Sequence, residues 1–279
     1  MNPYENTQDT LLAIADDPWF GTALEKYSLS QLRSAGLCAT PSLEVVKSRD
    51  FPSEYPDTLI GFNRDDEIYR RMKMVSECGD AAILVGTGSY APMHGQHVEL
   101  MATADRAVKE LGYTPVAAVF SLQSEAHVRS KVLPKNPKAL VDTSVRRDSA
   151  RKILPEMLNE DTPVFLDVWD ASYSGGPRSF SQSLIRISRT LHDIAIRDYT
   201  LFYVFGADNA VSMRAFSVSG YAVCVLRPGV EESDDSGASR YASEPQMREA
   251  IRQKRVLIVN RESSEDISST MIRAQERDL

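Results

Sequence analysis

Cysteine is scarce in this chain, and its spacing excludes most of what cysteine does. Cys38, Cys78 and Cys224 are far apart, odd in number and form no CxxC pair. This excludes a zinc ribbon and a disulfide framework, and it predicts a reducing compartment. Histidine is scarce too, with four among 279 residues. No apolar run approaches the ~20 residues that span a bilayer, so no membrane partner is expected. Basic charge is not in excess: the net charge is −7. That balance argues against a protein that coats nucleic acid or an anionic membrane. A small anionic substrate stays open, because a local basic pocket can sit on an acidic surface. The segment MNPYENTQDTLLAIADD has no basic stretch followed by an apolar one, so the expected setting is cytoplasmic, or otherwise intracellular, without a secretory leader. Internal repeats and low-complexity tracts are also lacking.

What is present is ordinary globular material, with 42% hydrophobic and 25% charged residues. Residues 1–79 differ from the rest. They offer helical segments (LLAIADD, FGTALEKYSLSQLRSAG, DEIYRRMKMVSEC) around a proline-rich connection, FPSEYPDTLIGF. They read as an N-terminal helical extension. Residues 80–279 read as one further domain. Within it lie six short apolar runs: AAILVG (81–86), VAAVFS (116–121), VFLDVW (164–169), LFYVFG (201–206), YAVCVL (221–226) and VLIVN (256–260). Uninterrupted apolar strands suit a parallel sheet covered on both faces. Candidate helices fall between them: VELMATADRAVKELG, SVRRDSARKILPEML, which Pro155 can end early, SFSQSLIRISRTLHDIAI and SEPQMREAIRQK. The alternation predicts an α/β, Rossmann-like doubly wound parallel sheet with helices on both faces. Ligands bind such folds at the carboxyl ends of the strands. YSGGPRS (173–179) and RPGVEESDDSGASR (227–240) read as loops.

Two stretches carry chemistry. GTGSYAPMHGQH (86–97) begins where the first predicted sheet strand ends and leads into a helix. It is no Walker A loop, since no GK[ST] follows, and it lacks the third glycine of the dinucleotide fingerprint. Its glycines let backbone N–H groups approach an anion closely. His94 and His97 fall on one face of the first helical turn at i, i+3, and each can donate to a phosphate oxygen. A metal site would need a further ligand, and neither His127 nor His192 is suitably placed by sequence. A structural pair of surface histidines is the plainer alternative. The second stretch, EDISSTMIR (265–273), follows the last predicted strand. Ser268, Ser269 and Thr270 entering a helix are first of all an N-cap. They also supply hydroxyls and N–H groups at a positive helix end, with Arg273 one turn on, as a triphosphate clamp would.

Together the two stretches resemble the GSFxPx(T/H)xxH and IS(S/A)TxIR motifs of the nicotinamide mononucleotide adenylyltransferases, in the same order and with the same long separation. Further matches are similar to the eukaryote-like branch: SLQSEAHVRSKV (121–132), SVRRDSARKIL, FLDVWDAS, FGADNAV and VLRPG. The resemblance spans roughly residues 81 to 275. It implies an enzyme that joins ATP and nicotinamide (or nicotinate) mononucleotide into a dinucleotide and pyrophosphate. It implies His97 on the α-phosphate, with His94 and Arg273 assisting catalysis. It implies Gly88, Ser89, Tyr90, Gly206, Asp208, Arg227, Ser268, Ser269 and Thr270 on ATP. Ser121, Arg129 and Trp169 are implied on the acceptor, Trp169 by stacking on the nicotinamide ring; core filling at a strand end is its alternative. Mg²⁺ would arrive bound to the nucleotide, and no protein metal site is implied. Family members often assemble, so a homo-oligomer is an expected partner state. The sequence departs from the family between Asp208 and Arg227, which is short and holds no tryptophan. Another phosphate or phosphonate acceptor, CTP in place of ATP, and a non-catalytic nucleotide-binding protein on the same fold are therefore alternatives.

Overall fold

The computed structural model describes residues 59–60, 80–134, 142–172, 180–193, 198–226 and 237–261. The helices expected within residues 1–79 and the loop at 173–179 lie outside them. Among the described residues eight strands form: β1 Leu59–Ile60, β2 Ala81–Gly88, β3 Thr114–Leu122, β4 Met157–Leu158, β5 Thr162–Asp167, β6 Tyr199–Gly206, β7 Tyr221–Leu226 and β8 Val256–Asn260. The main sheet runs β1-β5-β3-β2-β6-β7-β8, and β4 pairs with β5. All six predicted apolar runs supply parallel strands in it, although β5 stops at Asp167 and Trp169 begins a helix. Numbered among themselves in chain order, the parallel strands stand 3-2-1-4-5-6. This is the doubly wound order, and its direction of winding reverses between β2 and β6. The sequence reading placed no strand before residue 81, yet Leu59–Ile60 pair antiparallel with Leu166 and Asp167 of β5. A two-residue strand inside a proline-flanked connection leaves no periodic signal to read.

The helices are α1 Gly95–Glu110, α2 Glu125–Val132, α3 Thr143–Ile153, α4 Trp169–Ser172, α5 Phe180–Asp193, α6 Gly237–Ala242 and α7 Pro245–Arg252, with a 3₁₀ segment at Ala207–Phe216 between α5 and α6. Their ends follow local chemistry. Just past the end of α1, Gly112 takes φ +89, which costs little without a Cβ. α3 stops at Ile153, two residues before Pro155, whose ring and missing N–H oppose continuation. Pro245 opens α7 at a position where its absent N–H costs nothing.

Alternation along the strands explains why both faces needed apolar side chains. Ala82 and Leu84 of β2, Phe202 and Val204 of β6, and Val223 and Val225 of β7 pack with Met101, Ala104 and Val108 of α1 and Ala150 of α3. Ala81, Ile83 and Val85 face the other way, with Phe165 and Ile187 of α5. Tyr203, Phe205, Ala222 and Cys224 meet Met213, Phe216, Met247 and Ala250 on that second face. Helices thus cover both faces, as the unbroken apolar runs require. Among the described residues no helix is long and apolar enough to cross a membrane.

One polar contact anchors α1 to the β4–β5 hairpin. Asp105 is fully buried. It accepts from Thr162 Oγ1 at 2.7 Å, from Asn159 Nδ2 at 2.7 Å and from Lys109 Nζ at 2.9 Å. Replacing it by alanine would strand one buried donor, the Thr162 hydroxyl, at a cost of about 1–3 kcal/mol. Asp105→Ala is therefore expected to lower stability by about 1–3 kcal/mol, read as a lower urea midpoint with an unchanged slope. A midpoint within error of wild type would show that this contact anchors nothing.

Candidate functional site

The sheet opens where its winding reverses. β2 pairs with β3 as far as Gly88 and Leu122, but with β6 only as far as Val85 and Tyr203. Gly86, Thr87 and Gly88 therefore keep β3 on one side while the β6 side opens into a gap. The two strand ends flanking this gap carry the glycines read from the sequence, Gly88 on β2 and Gly206 on β6. Beyond β2, the chain turns through Ser89–Met93 into α1, whose first turn holds His97, with His94 immediately before it.

Tyr90 folds back over the end of β2. A Cβ on Gly88 would lie 2.7–3.0 Å from three atoms of the Tyr90 ring, so only glycine fits beneath it. The Tyr90 hydroxyl donates to Gly86 O at 3.2 Å. Its backbone takes φ 42, a left-handed conformation that is uncommon outside glycine and asparagine. Burial raises the Tyr90 pKa far above its usual range. The phenol therefore serves as a neutral, packed donor.

The Tyr90 ring meets His97 edge-on, with centroids 4.9 Å apart, and the His97 and His94 rings lie 3.9 Å apart. The two histidines also bond reciprocally. His97 N–H donates to His94 O at 3.0 Å, and His94 N–H donates to His97 Nδ1 at 3.2 Å. A ring nitrogen that accepts carries no proton, so neutral His97 holds its hydrogen on Nε2 and presents a donor there. Burial, with the neighbouring His94 second, lowers the His97 pKa from 6.5 to about 3. The imidazole is thus uncharged at neutral pH.

On the far side of the gap, Asp208 is exposed at the start of the 3₁₀ segment. Its Oδ1 would lie 2.9 Å from a Cβ on Gly206, and Leu100 of α1 lies next closest, at 3.4 Å. Gly206 thus sits between Asp208 and α1. Thr87 Oγ1 and Tyr203 OH are bonded at 2.9 Å across the parting strands.

The three acceptor-side residues behave differently. Ser121 is 1% exposed and donates to Asp167 Oδ2 at 2.6 Å. Asp167 also accepts from Arg186 Nη2 and, at 3.3 Å, from the Trp169 backbone N–H. Arg186 Nε lies 3.5 Å from Asp170 Oδ1, and Ser183 Oγ donates to Asp170 Oδ2. Trp169 is 8% exposed, and the Arg186 guanidinium lies over its ring, 5.0 Å from the centroid. Ser121 and Trp169 therefore belong to a buried ion network at the ends of β3 and β5. Arg129 is on the exposed surface of α2, ion-paired with Glu125 at 2.8 Å and Asp142 at 2.6 Å. Arg227, Ser268, Ser269, Thr270 and Arg273 lie outside the described residues.

Two arginines escaped the sequence reading. Arg146 of α3 is 1% exposed, and its Nη1 donates to Ser89 O at 3.0 Å and Gln123 O at 2.9 Å. Arg261, just after β8, is 7% exposed, with Nε 3.8 Å from Glu99 of α1. The only signal for Arg146 was Ala150 one turn on, the other residue of α3 that is buried. Arg261 carried none. Compared with known proteins, the chain matches no family model and no curated protein.

The His97 pairing sets a pH dependence. The unfolded histidine titrates near 6.5 and the folded one near 3. Between those values the unfolded chain binds a proton that the folded chain refuses. Stability from this group therefore rises with pH from about 3 to 6.5, by at most about 1.4 kcal/mol per pH unit. His97→Gln removes the group, so the stability lost by wild type between pH 7 and pH 5 should exceed the variant's loss. Urea midpoints at both pH values test this, and equal losses would mean that His97 is not held neutral.

Proposed function

We propose that this chain is a nucleotidyltransferase that joins ATP and nicotinamide or nicotinate mononucleotide, giving an NAD-type dinucleotide and pyrophosphate. The observation that carries the reading is the neutral His97 ring at the carboxyl edge of the sheet, its Nδ1 occupied by His94 N–H and its Nε2–H available as a donor. The gap at the winding reversal supports it, because doubly wound sheets bind nucleotides there. In the reaction, an acceptor phosphate oxygen attacks the α-phosphorus of ATP in line. The new P–O bond forms as the bond to the β-phosphate oxygen breaks, and pyrophosphate leaves. A phosphate nucleophile is already ionised at neutral pH, so no strong base is needed. The work is positioning and charge stabilisation.

His97 Nε2–H would donate to a non-bridging oxygen of the α-phosphate as charge builds there. His94 supports it through the backbone bond that fixes its tautomer. Gly88 and Ser89 would offer backbone N–H groups to the phosphates. Gly206 and Asp208 would hold the ribose, with the carboxylate accepting from its hydroxyls. By the resemblance, Ser268, Ser269, Thr270, Arg273 and Arg227 would take the rest of the triphosphate, with magnesium carried in on the nucleotide.

A second reading of the acceptor rests on Trp169, which is 8% exposed with Arg186 over its ring. So placed, it is a poor wall for a pyridine ring, and the same centre would then serve another phosphate or phosphonate. Pyrophosphate release from ATP and magnesium, across a panel with nicotinamide mononucleotide first, decides between them. His97→Ala should retain the wild-type fold and lose about 10²–10³ in kcat, the usual cost of one preorganised donor. Near-normal turnover in that variant would remove the role assigned to His97. No release with any acceptor would remove the enzymatic reading.

A further inference from the structure

Arg146 joins three strand ends on one side of the gap. Nη1 bonds the Ser89 carbonyl after β2 and the Gln123 carbonyl after β3. Nη2 lies 3.4 Å from Thr143 Oγ1, which donates to Ala171 O beyond β5 at 2.8 Å. Gln123 N–H in turn donates to Gly88 O at 3.0 Å. Glu125 and Asp142 support the buried charge electrostatically.

These bonds dictate where the neighbouring N–H groups point. In a trans peptide the N–H lies opposite the carbonyl. The Gly88 carbonyl is turned toward β3, so the Ser89 N–H points away from β3, to the side where β6 has departed. The Ser89 carbonyl is turned toward Arg146, which also grips Gln123 on the β3 side, so the Tyr90 N–H points away from that side as well. Among the described residues, no acceptor is bonded to either N–H.

We infer that Arg146 is a positioning residue that turns the Ser89 and Tyr90 N–H groups into the gap as a cradle for a phosphate group of the nucleotide. The identity of the anion rests on the nucleotide-transfer reading; the donor geometry does not. Arg146 itself touches no substrate. It holds the carbonyl side of two peptides so that their N–H side is ready before any anion arrives. One atom, Nη1, holds both carbonyls; lysine is shorter, and its ammonium is expected to fall short of that position.

The test is a titration of the full chain with inorganic pyrophosphate, followed by amide NMR, for wild type, Arg146→Lys and Arg146→Gln. In wild type, pyrophosphate should shift the Ser89 and Tyr90 amide signals. In folded variants those shifts should be lost, with affinity at least about tenfold weaker, as expected for losing preorganised charge-assisted donors. A purely structural clasp would lower the urea midpoint and leave the affinity and amide shifts of the folded protein unchanged; that result overturns the inference. So does a wild-type titration in which neither amide moves, and that observation needs no variant. ATP turnover by wild type judges the other reading separately. Turnover without these shifts sinks the cradle and leaves nucleotide transfer standing. Shifts without turnover support the cradle and remove nucleotide transfer.

Discussion

The early parting of β2 from β6 is the constraint on which the site depends. Had their pairing run on to Gly88, as it does with β3, every N–H in that stretch would be consumed by the sheet. Backbone donors are obligatory hydrogen-bonding groups, and they become available to a ligand only where a ladder stops. Here the ladder stops on one side alone, so one strand end is both anchored and open. Tyr90 maintains that state by lying over Gly86 and Gly88, where a larger residue at 88 would collide with its ring. The same ring then supports His97 edge-on. Strand register, one glycine and one tyrosine together determine where the histidine pair sits.

The buried charges on the two sides of β3 do different work. Asp167 and Asp170 meet Arg186 directly, with Ser121 and Ser183 filling remaining acceptor sites. The opposite charges of this network offset one another; removing one member would leave a charge buried without its partner, which is expensive. It rigidifies the ends of β3 and β5 and holds Trp169 in place, yet it offers little to a ligand. Arg146 is instead satisfied on Nη1 by backbone carbonyls. Those carbonyls are neutral, and Glu125 and Asp142 are the charges that act on it. The first cluster ties side chains to one another, and the second ties a side chain to the backbone.

Much of the fold was legible because a parallel sheet needs apolar side chains on both faces, and six runs advertised this without ambiguity. The strand ends that carry the site were legible for the same reason: Gly86 and Gly206 end two of those runs, and Gly88, His94 and His97 follow the first. What escaped has physical causes. α2 buries only Val128 and Val132, a spacing too sparse to stand out from its polar neighbours. The 3₁₀ segment after Gly206 has three residues per turn and so breaks the helical periodicity on which the reading relied. β1 is two residues long. Arg146 lies in the polar run SVRRDSARK, and arginine is rarely fully buried, so the sequence pointed to solvent. Ser121 and Trp169 were read toward a ligand, with core filling as the alternative for Trp169, and only tertiary packing reveals Asp167 and Arg186 against them.

A chain of net charge −7 can hold a polyanion only if its local field differs from its overall one. The histidines do not supply that field as cations, since His97 is uncharged through the physiological range. The favourable terms are oriented dipoles: the first turn of α1 with its aligned peptide units, the N–H groups of Ser89 and Tyr90, and the donor on His97 Nε2. Arg146 adds a full charge beneath them, well buried and still protonated although burial lowers its pKa to about 10. Dipoles fixed in a folded backbone need no reorganisation as charge develops on a phosphate, and this is what makes preorganised donors effective. A site built this way should keep one electrostatic character across the pH range where exposed imidazoles change theirs. Histidine serves here for its shape and its single directed N–H, with its titration suppressed.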